Sequence, residues 1–301
     1  MIQGILIEGL VYGIMALAVF ITFRVLDFAD MTVDGSFPLG SAIMGVLLVG
    51  GMNPFLAIVI AFACGAAAGS VTAVIHAKLK IPSLLAGIIT MTILYSINLR
   101  IMSNRSYVSL LKVDTLFKEI ASWAGQFMPP EYGVLAFLLL SVAAILVIIN
   151  VFFHTDFGIT LGALGSNPQM ITSQGMNPEV IKLIGVALSN GLVGIAGALA
   201  CMYQGSADVT AGTGTVVAGL ASLMIGEFLV RSNRIEILTL RVILGSILYR
   251  AIMFAGRQYG YKIGLTANDL KIITGVLIIA CLVISKYGNG ALLRRKGTIK
   301  C

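Results

Sequence analysis

The residues able to do chemistry are few and scattered. The two histidines, His76 and His154, lie at the ends of apolar runs, and the four cysteines, Cys64, Cys201, Cys281 and Cys301, lack metal-type spacing. The chain contains no HExxH, no G-x-S-x-G elbow and no G-x-x-x-x-G-K-[ST] phosphate loop. Neither metal hydrolysis, acyl transfer nor ATP cradling is therefore expected of it. Most acids are expected at the ends of apolar segments: Asp27, Asp30 and Asp34 at one, and Glu227 a turn before Arg231 at another, an i, i+4 pair. A proton or sodium relay needs acids nearer mid-span. What remains are uncharged polar groups inside apolar runs: Thr90, Thr92, Ser96 and Asn98 in one, Ser189 and Asn190 in another. Such groups either line a path for a polar solute or hydrogen-bond helix to helix.

The elements that position these groups follow from composition. Of 301 residues, 58% are hydrophobic and 11% charged, whereas a soluble domain carries about a quarter charged residues. A water-soluble enzyme is excluded. Apolar segments punctuated by charge, Gly or Pro fall at about 4–23, 36–51, 54–75, 82–101, 132–153, 180–203, 213–230, 236–256 and 270–286. The pattern predicts an all-α polytopic membrane protein with about nine transmembrane helices, within a range of roughly eight to ten. Some are broken or re-entrant, notably the one approached through ADMTVDGSFPLGS. The whole chain, 1–301, reads as a single transmembrane domain.

The net charge of +7 comes from 20 Lys and Arg scattered between apolar segments, so it marks helix flanks and not a nucleic-acid surface. Their larger share on one side, much of it in the tail LLRRKGTIKC, predicts a cytoplasmic C-terminus. No basic residue precedes the first apolar run, which therefore reads as a retained helix and not a signal peptide.

Between 103 and 131, Leu110, Val113, Phe117, Ile120 and Ala124 recur at helical spacing before Pro129-Pro130. This predicts an amphipathic helix at about 109–127 on the outer interface, capping the bundle or docking an outer partner. An internal echo is also present. ADMT at Ala29–Thr32 recurs as ADVT at Ala207–Thr210, and at the same offset Leu10 matches Leu188, Gly13 matches Gly191 and Ala18 matches Ala196. An inverted-topology repeat would place the copies at opposite membrane faces. A second echo, ILY at 93–95 and 247–249, runs in one direction in both copies and argues against simple inversion.

The inner loop at 154–178 is long and polar, with a short helix opened by Asn167-Pro168 and closed at Gly175. Its ALG-x-NP, QMITSQ and GMN, followed by S-x-x-L-x-G-x-A-G-A-L, resemble the permease subunits of bacterial ABC importers in the branched-chain amino acid and ribose permease superfamily. AGTG at 211–214 and GLASLMIGE at 219–227 extend that likeness, and ADMTVDGSFPLGSA resembles the start of the family's second helix. Within the superfamily, GLASLMIGE and SILYR look most like a subgroup linked to aromatic amino acids.

The resemblance implies a cytoplasmic coupling helix at about 168–174 that seats in a separate ATPase subunit. Gly165, Asn167, Pro168, Met170, Ile171 and Gly175 would shape it. It implies no cofactor on this chain, ATP being held by that partner. It further implies an extracytoplasmic binding protein, a second permease copy making a homodimer, and residence in the bacterial inner membrane. The expected cargo is a small polar solute, an amino acid and first an aromatic one. Thr92, Asn98, Ser189 and Asn190 are the candidate path residues. An ion-coupled secondary transporter is the alternative.

Overall fold

The computed structural model describes residues 2–125, 129–230 and 234–260, with the isolated positions 272, 275, 276 and 279. Helix α1 (Ile2–Val19) continues as a π-helical turn (Phe20–Val25). It is followed by α2 (Val33–Val49), α3 (Pro54–Leu79) and α4 (Ser83–Ile101). A short strand β1 (Tyr107–Ser109) leads to α5 (Leu116–Ala124) and α6 (Pro130–His154). The polar loop holds α7 (Asp156–Ser166) and α8 (Pro168–Ser173). Then come α9 (Pro178–Gln204), β2 (Ser206–Asp208), a 3-10 turn (Val209–Gly212), α10 (Thr215–Leu229) and α11 (Ile235–Gly260).

Seven of the described helices are long and apolar enough to cross a membrane, and α2 is a shorter apolar helix. The protein is thus an all-α polytopic membrane protein. The expected segment at 270–286 falls almost wholly outside the described residues, as does the basic tail. Three helices start from the same local signal, an Asn cap followed by Pro at the first helical position. Asn53 Oδ1 accepts from Phe55 N, Asn167 Oδ1 from Gln169 N and Asn177 Oδ1 from Glu179 N, at 2.9 to 3.1 Å.

Helices α1, α2 and α9 form the centre, while α4 and α6 lie outside. About 72% of the apolar window of α1 and of α9 is buried, against 22% for α6, whose exposed face is Leu139, Leu140, Val147, Ile148 and Val151. An apolar outer face suits hydrocarbon, where no water can satisfy polar groups. Close packing at the centre depends on glycine. A Cβ at Gly40 would strike Gly194, and one at Gly65 the backbone of Asn190.

These approaches also fix direction. Gly40 meets Gly194 and Gly45 meets Cys201, so α2 runs parallel to α9; Gly65 meets Asn190 and Gly69 meets Val186, so α3 runs antiparallel to it. Helix α1 runs antiparallel to both α9 and α11, since Gly4 meets Tyr203 where Ser189 bonds Ala18, and Gly9 and Gly13 meet Ile247 and Ile243. Each half of the chain therefore reads as a long helix, a break, a short returning helix and a long helix: α1–α2–α3, and in the opposite sense α9–α10–α11.

The repeated sequence sits at the two breaks. Asp30 Oδ1 accepts from Thr32 N at 2.8 Å, and Asp208 Oδ1 accepts from Thr210 N at 2.8 Å, the same local turn in each copy. The ILY echo pairs α4 with α11, whereas the inversion pairs α3 with α11, so that echo lies outside the repeat. β1 and β2 pair antiparallel, with Val108 opposite Ala207, at the end of the bundle away from α7 and α8.

Candidate transport site and coupling surface

Asn190 lies near the middle of α9, and its side chain joins three elements. Its Nδ2 donates to Asp30 Oδ2 at 2.6 Å, and its Oδ1 accepts from Ser36 Oγ at 2.7 Å. Thr32 Oγ1 lies 2.7 Å from Thr72 Oγ1 on α3. All five residues are completely buried. Asp30, expected at the mouth of a span, is thus a correction: the chain between Leu26 and Thr32 turns back into the bundle and brings that carboxylate level with mid-span Asn190. Sequence order alone hides this, because depth depends on how far the break re-enters.

The other candidate path residues are divided. Ser189 is buried and donates to Ala18 O at 2.8 Å, tying α9 to α1. Asn98 is buried, its Nδ2 donating to Gly35 O at 3.3 Å, while its Oδ1 has no hydrogen-bond partner. Thr92 is on the exposed face of α4 and donates to Ile88 O at 2.8 Å. Asn98, Ser189 and Asn190 are brought to the seams of α2, α4, α1 and α9; Thr92 faces away from them.

Asp34 links the two short helices. Its Oδ1 accepts from Thr215 Oγ1 at 2.9 Å and Val216 N at 2.8 Å, and its Oδ2 accepts from Gly214 N at 3.0 Å. The first turn of α10 is thereby capped by a carboxylate from the first turn of α2.

At the other end of α1 lies the polar loop. Thr155 Oγ1 accepts from Gly158 N at 3.3 Å to open α7, and Asn167 Oδ1 accepts from Gln169 N and Met170 N to open α8. Ile171 points into the protein, 1% exposed, while Met170 on the next position is 49% exposed. Gly175, at φ +77°, closes α8 in a left-handed conformation that favours glycine. Gly165 packs directly on the carbonyl of Val25, so α7 rests on the π-helical turn.

Beside that contact, Glu227 Oε1 lies 3.0 Å from Arg24 Nε and 3.0 Å from Arg241 Nη2. One carboxylate thus binds two guanidinium groups and ties α1, α10 and α11 together. Arg231, the partner expected from spacing, lies outside the described residues. Two further charges escaped the sequence reading. Glu8, inside α1, and Arg250, inside α11, approach at 3.5 Å. The signal was present, one acid and one base interrupting otherwise apolar runs.

A bundle of apolar helices with broken helices meeting at its centre and a capped polar loop at one end is the architecture of a polytopic helical membrane protein. The chain belongs to the permease component family of branched-chain amino acid transport systems, whose sequence model matches residues 1–282. It is a permease subunit of an ATP-binding cassette transporter and not an enzyme. It is 39% identical to the tyrosine transport system permease protein of Clostridioides difficile over 281 residues, covering 93% of this chain and 90% of that one. It is 29% identical to the ribose import permease protein RbsC of Escherichia coli K12 over 204 residues, covering 65% and 60%. The nucleoside ABC transporter permease protein NupC of Lactococcus lactis is 27% identical over 196 residues, covering 60% and 59%. No solved structure gives a significant match.

Proposed function

We propose that this chain carries a small polar solute of the amino-acid class, first an aromatic amino acid, across the bacterial inner membrane. It works as half of a pore, with a second copy, two ATPase subunits and an extracytoplasmic binding protein that delivers the solute. The observation that carries the reading is α8: a short helix capped by Asn167 and anchored by buried Ile171, with Met170 exposed at one end of a chain that has no phosphate loop of its own. The relative named for tyrosine transport, similar over nearly its full length, supports the aromatic cargo.

In this reading the loop at 154–178 faces the cytoplasm, as does the C-terminus, and α8 seats in the ATPase. ATPase closure moves α8 and α7; through Gly165 the movement reaches Val25 and the segment leading to α2. Thr92 on the outer face of α4 meets the path between copies. Asn98, Ser189 and Asn190 meet it when α2 shifts against its neighbours.

Reconstitution tests the proposal. Uptake of L-tyrosine into vesicles should require ATP, the ATPase and the binding protein. Uptake driven by an ion gradient with this chain alone would overturn it.

A further inference from the structure

A cavity of about 790 Å³ opens at the β1–β2 end of the bundle, between α1, α5, α9 and α11. Its size falls in the range of small-molecule sites. Four charged residues line it, Glu8, Lys118, Arg250 and Arg257, and the Lys118 ammonium already donates to the carbonyls of Leu110, Leu111 and Val113. Glu8 lies about 9 Å along α1 from its start, and Arg250 about 15 Å from the end of α11, at 1.5 Å per residue. Ionisable groups at such depth are costly and need partners. These two are only loosely paired, 3.5 Å from Arg250 Nη1 to Glu8 Oε2. The Arg250 guanidinium lies 3.4 Å from the centroid of the Tyr12 ring, which orients it. Its buried Nε has no hydrogen-bond partner, and among the described residues Arg257 has no ion-pair partner. Phe117, Tyr203 and Phe254, from three different helices, add aromatic surface to the lining.

One carboxylate, two guanidinium groups and aromatic walls make a complement to a zwitterion with an apolar side chain. We infer that this cavity is a low-affinity site in the permease for a free aromatic amino acid, its carboxylate on Arg250 and Arg257 and its ammonium on Glu8. The inference rests on the proposed amino-acid cargo and adds where this chain itself meets it. The cavity lies at the end opposite α8, where an importer receives its solute.

The test is saturation-transfer NMR on the purified permease–ATPase assembly, without binding protein, using L-tyrosine, tyramine, 3-(4-hydroxyphenyl)propionate and glycerophosphoethanolamine as separate probes. L-Tyrosine should bind best. Arg250→Gln should weaken L-tyrosine roughly tenfold and bring it level with tyramine, which has no carboxylate. Glu8→Gln should bring it level with the propionate, which has no ammonium. Arg250→Lys, keeping the charge, should fold as the wild type does and retain part of the preference. No transfer to L-tyrosine, transfer to glycerophosphoethanolamine alone as for a lipid headgroup, or preferences unchanged in the Gln variants would each overturn the site. Vesicle uptake by the complete wild-type assembly reads the cargo separately: uptake without transfer to the permease removes the site and leaves the cargo standing.

Discussion

The carboxylate of Asp34 lies 2.8 Å from the backbone nitrogen of Val216, so the first turn of one half-helix caps the first turn of its inverted counterpart. With Gly214 N and Thr215 Oγ1 also on that carboxylate, the two halves of the chain share one electrostatic joint.

Replacing Asp34 with Ala removes three acceptor interactions and leaves amide groups of α10 without a cap. The detergent-solubilised protein should lose about 1 to 2 kcal/mol, read as a lower Tm, while Asp34→Asn, which keeps one carbonyl oxygen, should lose less. Equal loss in both variants would show that the cap is not the source of the stability.

Gly165 and Gly162 differ in what surrounds them. A Cβ at Gly165 meets the carbonyl of Val25, whereas nothing lies near one at Gly162. Gly165→Leu should abolish coupled transport in a protein that still inserts, and Gly162→Leu should leave transport near the wild-type rate. The measurement is ATP-driven uptake beside quantified membrane insertion.

Met170 and Ile171 separate docking from folding. Met170→Asp, at an exposed position, should lose ATPase co-purification with an unchanged Tm. Ile171→Asp places a charge at a buried position and should lower Tm by an amount set by a cost of about 2 kcal/mol or more. Full coupled ATP hydrolysis in Met170→Asp would remove α8 from the interface.

Cysteines at the candidate path positions should differ in their reaction with a small polar thiol reagent. Thr92→Cys should react in the resting assembly, because the proposed path between copies runs along its exposed face of α4. Asn98→Cys and Ser189→Cys should react only during ATP turnover. If neither ever reacts, both serve packing alone.

Much of this architecture is legible in sequence because hydrocarbon demands it. The apolar runs place α1, α3, α4, α6, α9 and α11 within a few residues, and the Asn-Pro pairs mark three helix starts. The doubled ADMT and ADVT were also legible, and each copy places an Asp two residues before the amide it accepts from. Tertiary depth was not legible. Asp30 looks peripheral until the break folds inward. Glu227 binds Arg24 from the far end of the first helix and Arg241 from α11, two contacts that spacing along one helix does not indicate. Glu8 and Arg250 meet only because α1 and α11 pack antiparallel, a relation no local pattern encodes.

The π-helical turn at Phe20–Val25 has its own consequence. An extra residue within one turn rotates everything beyond it by about 100° relative to an unbroken α-helix. Gly9 and Gly13 meet α11 above this phase slip, while Val25, the last residue of the turn, meets α7. The insertion lets a single rod address two different neighbours along its length. Deleting one residue there would restore a regular winding and swing the Val25 carbonyl off Gly165, uncoupling the rod's two ends without changing any side chain at either contact.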